Sequence, residues 1–133
     1  MIKLNFSISE LIKSDIAIKN NINNMPDIRA LDNILNLIVY CLQPIRDKLN
    51  KPMVITSGFR CARVNQLAGG KSNSQHLTGA AADFHVPGMT VAQTIEFIKT
   101  TGIEFDQLIN EYDKWVHISY TKGSNRRSCF KIG

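Results

Sequence analysis

The sequence predicts an α+β fold, with a long N-terminal helix and flanking helices on a small antiparallel sheet. Three observations carry this. Apolar residues recur at spacings of three and four from Ile28 to Leu49. From Met53 onward that period gives way to short β-prone runs. The later runs are close enough in sequence to be joined mostly as hairpins, which makes neighbouring strands antiparallel.

At the N-terminus, Ser7 or Ser9 caps a short helix carrying Leu11 and Ile12, because a serine oxygen accepts a bond from the free amides of a first turn. The polar stretch Lys19 to Asn24 follows, and Pro26-Asp27 starts the long helix. Its apolar stripe is Ile28, Leu31, Ile34, Leu35, Ile38, Val39, Leu42, Ile45 and Leu49. Pro44 bends or restarts it, since proline removes a backbone donor and crowds the preceding turn. Met53 to Thr56 reads as a short buried strand ending at Ser57-Gly58. A segment rich in Gly, Asn and Ser, with no helix assigned, then runs from Phe59 to Ser74. Ala80 to Val86 is the next β-prone run, stopped by Pro87-Gly88. Thr90 caps a helix from Val91 to Thr101, with Val91, Ile95 and Ile98 on its apolar face and Gly102 as its terminator. Gln107 to Glu111 and Trp115 to Tyr120 are strands around a tight turn, and Ser128 to Ile132 adds an edge strand.

The chain has 133 residues, of which 44% are apolar, and this suits one globular domain with no room for a second. A core of that size forms without metal or disulfide staples, so any metal serves chemistry rather than folding. No apolar run reaches the ~20 residues needed to span a bilayer, so no integral membrane association is expected. Met1 to Glu10 lacks a basic region, an apolar stretch and a small-residue cleavage site, which argues against signal-peptide export. Cys41, Cys61 and Cys129 are odd in number and widely spaced, so they are read as buried or idle thiols. Lys and Arg total 16 against 11 Asp and Glu, but they are scattered, with only Arg126-Arg127 adjacent near the end. No aromatics interleave with them, and no nucleic-acid partner is expected.

Histidine is scarce, and two of the three sit in informative company. His76 lies in Ser74-Gln75-His76-Leu77-Thr78-Gly79-Ala80-Ala81-Ala82-Asp83, and His117 in Trp115-Val116-His117-Ile118-Ser119. A catalytic zinc site uses three imidazole or carboxylate ligands and keeps one position open. His76, Asp83 and His117 supply such a set. Gly79 and the alanines keep the stretch between His76 and Asp83 slim enough to turn both side chains towards one ion. Strand alternation puts Trp115, His117 and Ser119 on one face and Val116, Ile118 and Tyr120 on the other, placing the metal site on the sheet.

The pattern Ser-x-His-x-x-Gly-x-Ala-x-Asp, followed by Trp-Val-His on a strand, resembles the M15 family of zinc D-Ala-D-Ala carboxypeptidases and L-alanyl-D-glutamate endopeptidases. Ser57-Gly58-Phe59-Arg60 looks like that family's Ser-Gly-Tyr/Phe-Arg segment, with Val64-Asn65 just after it. Phe6-Ser7-x-Ser9-Glu10-Leu11 resembles the opening of its compact, often phage-derived members. The resemblance implies zinc on His76, Asp83 and His117, and hydrolysis of bacterial peptidoglycan stem peptides. The expected protein is a monomer made in the cytoplasm that acts on the cell wall after release. Arg60 is expected to stabilise a developing oxyanion or to bind a substrate carboxylate, against the alternative of a structural salt bridge.

One departure concerns the catalytic base. Many members of the family carry Glu or Asp three residues before the last histidine, where this chain has Lys114. The nearest carboxylates are Glu111 and Asp113. A three-residue loop, Tyr112-Asp113-Lys114, sets Glu111 opposite Trp115 and on the face of His117, whereas a two-residue loop turns it away and favours Asp113. Glu111 is the base adopted, and it also resembles the Ile/Val-x-Glu strand of the compact members. Ser74, Gln75 and Trp115 are candidate substrate contacts, and His85 is either a support for Asp83, a substrate contact or an exposed strand-end residue. The rival reading, prompted by Lys114, is a zinc-binding or wall-binding module without catalysis.

Overall fold

Polar caps decide where most of the helices begin. The computed structural model describes residues 3–133, so Met1 and Ile2 of the N-terminal stretch read for a leader lie outside the described residues. Ser7 Oγ accepts from the Glu10 amide at 3.1 Å and the Glu10 carboxylate accepts from the Ser7 amide, a reciprocal cap that starts α1, Ile8–Ile12. Ser14 caps a second short helix, α2, Asp15–Lys19, which the apolar spacing does not predict. Asp27 caps α3, Ile28–Leu37, by accepting from Ala30 at 2.8 Å.

The single long helix expected after Pro26 is not what forms. Residues 28–49 are helical in three pieces, α3, a π turn at Ile38–Leu42 and α4, Gln43–Leu49. The Gln43 amide reaches back to the Ile38 carbonyl, and this wide turn comes directly before Pro44. Proline lacks the N–H of a regular α ladder and its ring crowds the turn before it, so the restart falls where those two effects act. The wide turn also shifts the stripe. Ile34, Leu37, Ile38, Cys41, Leu42 and Ile45 are buried, while Ile28, Leu35 and Val39 are exposed.

Five strands form one sheet in the order β1-β2-β4-β3-β5. They are β1, Val54–Ser57, β2, Ala81–His85, β3, Gln107–Glu111, β4, Trp115–Ser119, and β5, Ser128–Ile132. The first four in spatial order pair antiparallel, but β5 runs parallel to β3, so the sheet is mixed rather than antiparallel throughout. The end of β4 lies beside the start of β3, and the link to β5 only steps across that end. Arg127 donates to the Phe105 carbonyl and Ser128 to the Asp106 carbonyl, which holds β5 to the same end and hence the same direction as β3. β1, expected to be buried, is an edge strand with Val54 39% exposed.

The Phe59–Ser74 segment is also more regular than expected, since it contains α5, Ala62–Leu67. Cys61 at its N-cap makes no side-chain cap bond, so the sequence carries no start signal there. Asn24, a buried bracket, takes that place from a distance: its Oδ1 accepts from the Cys61 amide and its Nδ2 donates to the Ile12 and Phe59 carbonyls. Further on, Thr90 and Gln93 form a reciprocal cap for α6, Val91–Thr100.

Strand alternation divides the sheet into two faces. Ala82, Phe84, Leu108, Val116, Ile118 and Tyr120 join the helices in one buried core, where Phe84, Leu108, Val116 and Ile118 are 0% exposed. Complete burial of such side chains contributes roughly 1.5–3 kcal/mol each. Asp83, Ile109, Glu111 and His117 belong to the opposite face. The three cysteines are free, with Cys41 buried, Cys61 half-buried and Cys129 exposed, and burial pushes the Cys41 thiol up.

Candidate metal centre

Pairing of β2 with β4 sets Asp83 directly opposite His117, and Asp83 Oδ1 lies 2.9 Å from His117 Nδ1. His76 arrives from a 3₁₀ turn, Gln75–Thr78, which Ser74 starts by accepting from the His76 amide at 3.2 Å. Gly79 ends that turn at φ +79°, and a Cβ there would run into the Ala30 carbonyl, so only glycine closes the corner. Ligand atoms of His76, Asp83 and His117 all lie within 4.8 Å of one another, and all three residues are buried.

The two rings are fixed before any ion arrives. His76 Nδ1 is 2.8 Å from the Gly58 carbonyl, which can only accept, so Nδ1 carries the proton. In the neutral ring, Nε2 then presents a lone pair to Asp83 Oδ1 at 3.3 Å. Two facing lone pairs at that separation require a proton or a metal ion. Gly58 is itself pressed against the Leu11 carbonyl, where a Cβ would not fit. Burial pulls the Asp83 carboxyl upward, but the hydrogen bond from His117 Nδ1, with the His76 ring close by, overrides it and holds the group below the ordinary carboxylate range. Two imidazoles and an ionised carboxylate form a donor set that fits a divalent metal such as zinc.

The cluster forms part of the lining of a cleft of about 670 Å³. The Tyr112–Lys114 loop has three residues, so Glu111 pairs with Trp115 and shares the face of His117, with Oε1 3.8 Å from His117 Nδ1. Asp113 turns away, bonded to Asn110 and ion-paired with Lys131. Lys114 stands exposed in the loop. Arg60 Nη2 is 3.6 Å from Asp83 Oδ2, with Nε on Ser57 Oγ and Nη1 on Asn65 Oδ1. Ser74, Gln75 and Trp115 line the cleft. His85 is exposed and is not part of that lining.

Two residues at this site escaped the sequence reading. Asp106 is 3% exposed, and its carboxylate receives Arg126 N, Nε and Nη2 at 2.9 Å each and Gln75 Nε2 at 2.7 Å. The Arg126 guanidinium holds the Asp106 carboxyl down to about 2 against the upward effect of burial, helped by the Arg126 amide and Gln75. Asp106 thereby ties the residue preceding His76 to the segment that leads into β5. The Phe105-Asp106-Gln107 stretch carries no local signal for this, because its partners lie 20 and 31 positions away.

A family model for peptidase M15 matches residues 4–119, a span that contains His76, Asp83, Glu111 and His117. The chain belongs to the peptidase M15 family. Comparison with curated proteins finds no match. Membership of this metallopeptidase family accords with the His76–Asp83–His117 cluster, since M15 peptidases are metal dependent. Among the described residues, no helix is long and apolar enough to cross a membrane.

Proposed function

We propose that this M15 chain is a zinc-dependent peptidase that hydrolyses the stem peptides of bacterial peptidoglycan. The observation that carries the reading is the buried His76–Asp83–His117 cluster with a carboxylate, Glu111, 3.8 Å from His117 in the same cleft. His76 through Nε2, Asp83 and His117 would hold the ion. When bound, zinc supplies Lewis acidity, lowering the pKa of water towards ~7 and polarising a peptide carbonyl.

The chain's own groups do the rest. Glu111 takes a proton from the attacking water at a carboxylate oxygen and delivers it to the leaving amine nitrogen. Arg60, braced by Ser57 and Asn65, donates to the oxygen on which negative charge develops. Asp83 keeps both rings in orientation, and Ser74 holds the turn that carries His76. Gln75 and Trp115 form the wall against which the substrate lies. Because Glu111 supplies a carboxylate where Lys114 does not, this reading needs no residue at position 114. It includes action as a monomer on the wall after release from the cell that made the chain.

The test is incubation of zinc-loaded and chelator-treated protein with defined stem peptides, with products identified by mass. One new pair of fragments, present only with metal, is expected, and its masses name the bond and separate carboxypeptidase from endopeptidase action. No fragment at stoichiometric zinc would overturn the reading.

A further inference from the structure

We propose that Arg126 is a specificity residue that binds a carboxylate of the substrate with the edge of its guanidinium that Asp106 leaves unused. This rests on the peptidase reading above and identifies a substrate feature of the same cleft. A guanidinium has two forked edges, Nε with Nη2 and Nη1 with Nη2, and each can grip a carboxylate bidentately. Asp106 takes the first, with Nε on Oδ1 and Nη2 on Oδ2, both at 2.9 Å. The second has no partner among the described residues. The Arg126 side chain is 62% exposed and belongs to the lining of the cleft that holds His76, Asp83, Glu111 and His117.

A stability role alone explains the grip on Asp106 but not its form. The backbone amide of Arg126 already donates to Asp106 Oδ1 at 2.9 Å and anchors the segment. The additional side-chain grip fixes a long, otherwise mobile residue in one orientation beside the cleft. Such fixing removes most of the entropy cost of gripping a second anion. The same Asp106 carboxylate holds Gln75, so Arg126 and the His76 turn share one anchor. Lys71 and Arg60 line the cleft as well, so an anion entering it meets further cations.

Stem peptides offer two carboxylates that could dock here, the C-terminal one and the α-carboxylate of the γ-linked D-glutamate. Both can be tested. The probe is L-Ala-γ-D-Glu-L-Lys-D-Ala-D-Ala as the free acid, as the C-terminal amide, and with D-isoglutamine in place of D-Glu. Binding is measured by calorimetry on zinc-loaded Glu111→Gln protein with Arg126 intact and with Arg126→Gln or Arg126→Lys. Hydrolysis by protein with Glu111 intact is followed in parallel.

With Arg126 present, one of the two amidated peptides is expected to bind roughly 10- to 100-fold more weakly than the free acid. Its identity names the carboxylate. Arg126→Gln should weaken the free acid by the same factor and no longer distinguish the amide. Arg126→Lys, which keeps the charge and loses the fork, should behave like Arg126→Gln. The proposal is overturned if neither amidation matters with Arg126 present, or if the variants weaken all three peptides equally. A lower melting temperature with unchanged selectivity overturns it too. Cleavage with no role for either carboxylate leaves the peptidase reading standing. Zinc-loaded protein that neither binds nor cleaves the free acid removes both.

Discussion

Glu111 Oε1 lies 3.8 Å from His117 Nδ1, two neighbours on one face of the β3–β4 hairpin. The turn between them sets this, because Tyr112 and Asp113 both adopt positive φ, 60° and 58°, and Lys114 donates back to the Glu111 carbonyl. One residue fewer would turn Glu111 to the opposite face. Glu111→Gln is therefore expected to keep zinc and to lower kcat by about two to four orders of magnitude. Asp113→Asn, whose carboxylate is engaged by Asn110 and Lys131, is expected to leave turnover near the parent value. Steady-state kinetics with zinc content measured on each variant checks both, and the reverse pattern would make Asp113 the base.

His76→Ala and His117→Ala should fold and lose the ion. Each removes a ligand nitrogen without touching the core face of the sheet, so circular dichroism should remain that of the parent. Elemental analysis should find less than stoichiometric zinc in either variant, and stoichiometric zinc in the double variant would remove the basis for this site.

Arg60→Lys keeps a positive charge but cannot hold Ser57, Asn65 and the Asp83 edge with one planar group. Turnover is expected to fall by about 10²-fold while the melting temperature stays close to the parent value. Thermal melts and kcat on Arg60→Lys and Arg60→Ala separate this from a structural ion pair, which predicts lost stability with retained turnover.

Asp106→Asn probes the anchor. The folded carboxyl is held down to about 2, below its unfolded value, so its contribution is fully present at neutral pH. It is lost as pH falls from about 4 towards 2. The variant should be less stable by about 1–3 kcal/mol at pH 7. Urea unfolding across pH should show that gap narrowing in acid, and a gap independent of pH would show that the ionised carboxylate is not what stabilises the fold.

Much of the site was legible because its determinants are local. The serine cap of α1, the helix start at Pro26-Asp27, the cap at Thr90, the restart at Pro44 and the strand phases around His117 each depend on a few adjacent residues. The hairpin loop is local as well, and its length left only two carboxylates to choose between. Where the reading missed, the cause lay elsewhere in the chain. α5 has no capping side chain at Cys61, and the contact that fixes its start comes from Asn24, which bonds the Cys61 amide from 37 positions away. β5 is parallel to β3 because the chain re-enters the sheet at the end where β4 leaves it, and no periodicity within Ser128–Ile132 records that.

The motif from Ser74 to Asp83, with His117 on its alternating strand, singled out from sequence the three residues that the fold gathers into one buried cluster able to hold a metal ion, since their types and spacing follow from ligand chemistry and backbone period. Tertiary structure alone decided which nitrogen of His76 faces Asp83, through the Gly58 carbonyl, and which carboxylate stands beside His117, through the turn geometry. It also decided the bond of Asp106 to both Gln75 and Arg126. Each of these is a directional contact between atoms brought together by packing, and a hydrogen bond's direction leaves no trace in the order of the residues that make it.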